Sequence, residues 1–308
     1  MIEVHSLTKY YNDKKAIENL NFTLQKGEIV GLLGLNGSGK TTTLRLLTGF
    51  LIPGDGEILI NGVSNFTDPL HTKKMIGYLP ESPPLYEDLS VEDYLKFVSR
   101  IKGIPEENLH SEIRRVMEKT NLTEKKDTLL GHISLGYRKR AGIAQALLGN
   151  PPIIVMDEPI SGLDPKQIID MRNLIMGLKG EHTVFISSHI LSELHKTCDR
   201  FIFLHEGNLQ FDLSREALDR ELSKHSLLEI TLEGKSKENL ITYLKSLDGD
   251  LEIKSIQEEP LGVSFILKPK DERFFKNRLL ENLGKEGITL NTLKRQEVTL
   301  EQMFLTNI

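Results

Sequence analysis

Apolar side chains come close to alternating with polar ones at Ile2, Val4 and Leu7, and again at Leu20, Phe22 and Leu24. A period near two predicts strands with one buried face. The run Ile29-Val30-Gly31-Leu32-Leu33 is apolar throughout, as in a strand covered on both faces. A short strand over Glu57 to Ile60 follows the turn-forming Pro53-Gly54-Asp55-Gly56. From Val91 to about Asn121 the spacing changes: Val91, Tyr94, Leu95 and Val98 fall at i, i+3, i+4 and i+7, which predicts a helical block. Strand-type runs resume at Ile153 to Met156, Thr183 to Ser187 and Phe201 to Leu204, separated by helical segments from Lys166 to Leu178 and Ile190 to Thr197. Strands alternating with helices predict a parallel α/β core, with the helical block between two halves of its sheet.

Beyond about residue 224 the elements become shorter and more charged. Strands are predicted over Leu227 to Leu232, Leu251 to Gln257, Val263 to Leu267 and Thr289 to Leu293, with helices over Lys237 to Leu247 and Glu272 to Leu283. The order βαββαβ suggests a ferredoxin-like sandwich, giving domains at 1–223 and 224–308; the alternative is that the tail extends the first domain. The 308 residues suffice for a sizeable core without staples. The single cysteine, Cys198, excludes an internal disulfide framework and fits a reducing cytoplasm as a small buried residue. A net charge of −5 gives no global basic footprint for nucleic acid. Met1 to His5 lack a secretory pattern, and no apolar run approaches the ~18 residues of a spanning helix. A membrane role is therefore expected to come through a partner.

The candidate chemistry begins where the apolar run 29–33 ends. Residues Gly34-Leu35-Asn36-Gly37-Ser38-Gly39-Lys40-Thr41 read G-x-x-x-x-G-K-T. Glycines let successive backbone N–H groups turn inward around phosphates, Lys40 reaches the β and γ oxygens, and the Thr41 hydroxyl ligates Mg²⁺. A helix starting near Lys40 adds its positive end. Asn36, Gly37, Ser38, Gly39, Lys40, Thr41 and Thr42 are thus the candidate triphosphate cradle. A second signal is Ile153-Ile154-Val155-Met156 ending in Asp157 and Glu158, a buried strand with an acidic end. Ligands of parallel sheets gather at that end. Neighbouring strand side chains point to opposite sides, so Asp157 can hold Mg²⁺, usually through water, while Glu158 acts as general base.

On these motifs the chain resembles the ATP-binding subunit of an ATP-binding cassette (ABC) transporter. Ile133-Ser134-Leu135-Gly136-Tyr137 is similar to the family signature L-S-G-G-Q: Ser134 and Gly136 match, while Leu135 and Tyr137 depart from it. Ser161-Gly162-Leu163-Asp164 resembles the D-loop, and Ser187-Ser188-His189 resembles the segment carrying the switch histidine, so the resemblance gives His189 a γ-phosphate contact. It makes Tyr11 the aromatic that stacks on adenine, with Tyr10 as the alternative. Glu81 stands where the family usually has a glutamine that senses Mg²⁺ and the attacking water; it reads as a Mg²⁺ contact or as a surface-loop carboxylate.

The resemblance covers roughly residues 1–215 and implies a P-loop NTPase core of ABC type with an antiparallel β subdomain and an inserted helical subdomain at about 82–150. It implies an ATPase that uses ATP and Mg²⁺, pairs head to tail as a homodimer or with a related ATPase, and takes Ser134 and Gly136 from the opposite copy. Glu81 to Tyr86 and the tail Thr299 to Leu305 resemble exporter ATPases with a separate permease chain, including gliding-motility, sodium-extrusion and drug-export relatives. The expected location is the cytoplasmic face of the cell membrane, held by the permease. The rival expectation is a soluble ABC ATPase working on ribosomes, DNA or cofactor assembly. A single G-x-x-x-x-G-K-T and the short span from Thr41 to Ser134 speak against ribosomal and DNA-repair types, and no N-K-x-D guanine reader is present. A ligand-sensing role for the C-terminal domain would be additional to ATPase activity.

Overall fold

The computed structural model describes residues 1–224 and 227–296, and the packing divides into two compact units, Met1–Arg215 and a second from Glu216 onward. The change in sequence texture near 224 comes later than this break, because helix α8 (Arg215–Lys224) falls almost whole on the far side of it. The exporter-like tail from Thr299 to Leu305 lies outside the described residues.

The first unit holds two sheets. Strands β1 (Ile2–Tyr11), β2 (Lys14–Leu24), β4 (Asp55–Ile60) and β5 (Val63–Ser64) form an antiparallel sheet in the order β2-β1-β4-β5. Strands β3 (Ile29–Leu33), β6 (Ile76–Leu79), β7 (Ile153–Asp157), β8 (Thr183–Ser188), β9 (Arg200–His205) and β10 (Asn208–Ser214) form the other, in the order β10-β9-β3-β8-β7-β6. It is parallel apart from the β9-β10 hairpin. One core joins the sheets: Val4, Leu20 and Phe22 meet Val30, Val155 and Phe185 beside Leu44 and Leu47 of helix α1 (Lys40–Leu47). Phe22 and Phe185 pack with ring centroids 5.8 Å apart.

Helix α2 (Pro69–Lys74) precedes β6. The helical block from Val91 consists of two helices, α3 (Val91–Ile101) and α4 (Glu106–Lys119). Gly103 at φ 73° ends the first, and Pro105, which has no N–H to give, sits at the N-cap of the second. Helix α5 (Leu135–Leu147) then lies against β6. Glycine at 77 allows that approach: a Cβ there would lie 2.1 Å from the Ala146 carbonyl oxygen. Helices α6 (Pro165–Met176) and α7 (Leu191–Thr197) complete the crossovers. Among the described residues no helix is long and apolar enough to cross a membrane.

Cys198 is fully buried and its thiol is pushed above the ordinary range by burial, with Asp199 adding to the shift. A thiol kept protonated and out of reach reacts slowly. Alkylation by iodoacetamide at pH 8 is therefore expected only at the rate of unfolding; labelling within minutes of a folded sample would contradict the burial.

In the second unit, β11 (Leu227–Glu233), α9 (Lys237–Leu247), β12 (Glu252–Glu259), β13 (Gly262–Lys268), α10 (Glu272–Leu283) and β14 (Thr289–Gln296) follow in the βαββαβ order. The sheet is antiparallel, in the order β12-β13-β11-β14, which is ferredoxin-like topology. Leu228, Ile230 and Phe265 of the sheet share a core with Leu240 and Leu244 of α9 and Phe275 and Leu279 of α10.

Candidate active site

The candidate residues converge where the parallel strands end. Leu33 pairs with Ser188, Asp157 with Ser187 and Leu79 with Met156, so the carboxyl ends of β3, β8, β7 and β6 stand level. The loop after β3 turns through Gly37 at φ 82° and Gly39 at φ 104°, backbone that L side chains rarely adopt. A Cβ on Gly39 would lie 2.6 Å from Ile17 Cγ2 and 2.7 Å from the Ala16 carbonyl oxygen. Asn36 and Gly37 are exposed, Ser38 is buried, and Thr41 and Thr42 are half-buried in the first turn of α1. The Ser38 hydroxyl has no hydrogen-bond partner although it is buried, as suits a cradle for an acceptor-rich ligand.

Lys40 is 7% exposed and its ammonium donates to the carbonyls of Gly34 (2.7 Å) and Leu35 (3.2 Å). Burial lowers its pKa, and the carboxylates of Glu158, Asp157 and Glu81 oppose that shift. The Thr41 hydroxyl lies 3.5 Å from Asp157 Oδ1. Ser187 donates to the same oxygen at 2.5 Å, and its hydroxyl accepts the Glu158 N–H at 3.0 Å. One serine thus fixes both acidic residues, a role absent from the sequence reading of Ser187-Ser188-His189.

Glu158 takes φ 49°, which turns the chain sharply at the end of β7. Its side chain meets His189, Nδ1 to Oε2 at 2.9 Å. The resemblance gives His189 a γ-phosphate contact; here its half-exposed ring is held by the carboxylate. Burial raises the Glu158 pKa above the usual carboxylate range, while His189 and Lys40 pull it down. Glu81 is exposed just beyond β6, and its carbonyl accepts from Lys139 Nζ at 2.7 Å.

Two sets of predicted residues do not join this cluster. Ser134 is exposed at the N-cap of α5, where its hydroxyl makes no cap hydrogen bond, and Gly136 lies buried against Gln167. Tyr10 and Tyr11 end β1 with exposed rings. The Tyr10 hydroxyl is occupied by Glu18 at 2.7 Å, whereas the Tyr11 ring carries the Lys9 ammonium 5.9 Å from its centroid. Asp164 caps α6 by accepting the Gln167 N–H.

Sequence reasoning passed over Lys139, which is 3% exposed and also donates to the Glu158 carbonyl at 2.9 Å. The signal was available: Gly136, Lys139, Ile143 and Ala146 form one buried stripe at helical spacing, and a lysine on such a face needs a partner.

A glycine-bounded phosphate loop opening a helix, level with a strand that ends in two carboxylates, defines a P-loop nucleotide triphosphatase. The model of the ABC transporter family matches residues 17–161. The bacitracin transport ATP-binding protein of Bacillus licheniformis is 38% identical over 239 residues, 77% of this chain and 76% of that protein. The chain therefore belongs to the ABC transporter ATP-binding family, and it is an ATP-binding, ATP-hydrolysing subunit. A solved ATP-binding subunit of an ABC transporter superposes with TM-score 0.66 at 29% identity, covering 79% of this chain and 98% of that one. A dimeric ABC cassette in a post-hydrolysis state with ADP and phosphate superposes with TM-score 0.64 at 25% identity, covering 70% and 99%.

Proposed function

We propose that this subunit powers a separate membrane permease in an exporter, from the cytoplasmic face, as a head-to-tail dimer. What carries the reading is the juxtaposition of Thr41 with Asp157 at 3.5 Å and of Glu158 with His189 at 2.9 Å at one sheet edge. The loop N–H groups and Lys40 bind and orient the triphosphate, and Tyr11 offers a face to adenine. Asn36 to Thr42 contribute the cradle. Thr41 and Asp157 are the oxygen donors that would hold Mg²⁺, and Glu81, exposed just beyond β6, is a further candidate contact. A magnesium ion held by one or two protein oxygens and by substrate phosphates needs no larger cluster of carboxylates. Bound there, Mg²⁺ would supply charge neutralisation. Glu158 takes the proton of the attacking water, and His189 orients its carboxylate.

Ser134, with its hydroxyl uncommitted to the helix cap, and Gly136 would serve the second copy's nucleotide, next to the positive end of α5. The dimeric relative supports the paired arrangement, and the bacitracin-transport relative supports a role in transport. Ser134→Ala is expected to lower turnover about a hundredfold while the monomer's affinity for ATP stays as it was; loss of monomer binding would count against the trans arrangement. Co-purification from solubilised membranes tests the wider proposal. A membrane permease in the complex supports it, and ribosomes or DNA in its place overturn it.

A further inference from the structure

Lys139 lies within α5 yet makes both its hydrogen bonds outside the helix. Its ammonium donates to the carbonyl of Glu81, just beyond β6, and to the carbonyl of Glu158, just beyond β7, at 2.7 and 2.9 Å. Burying an ammonium is costly, and a methionine would fill similar space on an otherwise apolar face. The donor function therefore matters more than the volume. The Glu158 peptide is held from both sides: Ser187 takes its N–H, Lys139 its carbonyl. Its left-handed φ of 49° is a conformation that persists only where the surroundings enforce it.

We propose that Lys139 is a positioning residue of the ATPase reaction, a strut from helix α5 that fixes the Glu81 and Glu158 loops at one distance within the same chain. The proposal rests on the reading of Glu158 as base. Its ammonium sits among the carboxylates of Glu81, Glu158 and Asp157, whose charges support ionisation against the cost of burial. Lys139 acts on turnover through Glu158, by holding the carboxylate where the attacking water must be deprotonated. A base displaced by about 1 Å costs on the order of a hundredfold in rate.

Hydrogen exchange of the full, nucleotide-free chain tests the strut without catalysis. In Lys139→Met, the amides of Glu81, Ser82, Glu158, Ile160 and Ser161 are expected to exchange about tenfold faster, while β3 and β9 keep their protection. Steady-state kinetics should show kcat lowered ten- to a hundredfold with KM for ATP within twofold. Lys139→Gln, one bond shorter but still a donor, should fall between Met and the unaltered chain in kcat at the same KM. Unchanged exchange at both loops, or a loss carried by KM, overturns the proposal. If the Met chain does not fold, the Gln chain decides: a kcat lowered at unchanged KM supports the strut, and a kcat equal to that of the unaltered chain sinks it. Glu158→Gln separates the two readings: near-normal turnover there removes the base assignment, while the exchange result still reports whether Lys139 holds the loops.

Discussion

Glu158→Gln is expected to lower kcat about a thousandfold, the scale of a lost general base, while ATP affinity stays within a few fold. The amide is isosteric, and the Glu158 backbone keeps its bonds to Ser187 and Lys139. What is lost is the ability to accept a proton. With ATP bound and hydrolysis blocked, a dimer should accumulate on size exclusion; a monomer turning over at a near-normal rate would refute the assignment. Stability gives a second readout. Burial raises the folded pKa of Glu158 above its unfolded value, so the unfolded chain releases this proton first. Its contribution to stability is then fully present below the unfolded pKa and is lost as pH rises through the folded one. The glutamine chain should accordingly melt higher at pH 7, and the difference should shrink toward the ordinary carboxylate range.

Lys40→Met is the second large effect. Each charge-assisted hydrogen bond contributes about 1.5–3 kcal/mol, so removing a donor to two phosphate oxygens should weaken ATP binding more than a hundredfold. Folding should survive, because the change also removes an ammonium whose burial is unfavourable. Nucleotide titration alongside a melting curve checks both halves. Unfolding of the variant would make Lys40 a core residue first and a ligand second.

How much of this was legible depended on the range of each signal. The strand entering Gly34 and the strand ending in Asp157 announce themselves locally, as apolar runs closed by special residues. Strand β6 does not: Ile76-Gly77-Tyr78-Leu79 is four residues with a glycine in it, and the reason for that glycine is the Ala146 carbonyl of α5, far along the chain. The helical block from Val91 was legible as a whole, while its division at Gly103 and Pro105 rests on two residues that the apolar spacing does not mark. At the site, residue types carried the phosphate loop and the carboxylates. Ser187 escaped because its partners, the Asp157 carboxylate and the Glu158 N–H, lie about 30 residues away on a neighbouring strand, and Lys139, marked by its buried stripe, gave no sign of which carbonyls it serves.

The strand order carries a consequence for biosynthesis. β3 leaves the ribosome early, yet both its neighbours, β8 and β9, come from residues 183–205. Pairings so distant in sequence form slowly, and synthesis proceeds at about 5–20 residues per second. For roughly the 150 residues from Leu33 to Thr183, the phosphate loop hangs from a strand that has no sheet to join. The phosphate loop, translated early, is therefore among the last parts of the first unit to find its sheet, and a nascent chain stopped before β8 should bind no ATP.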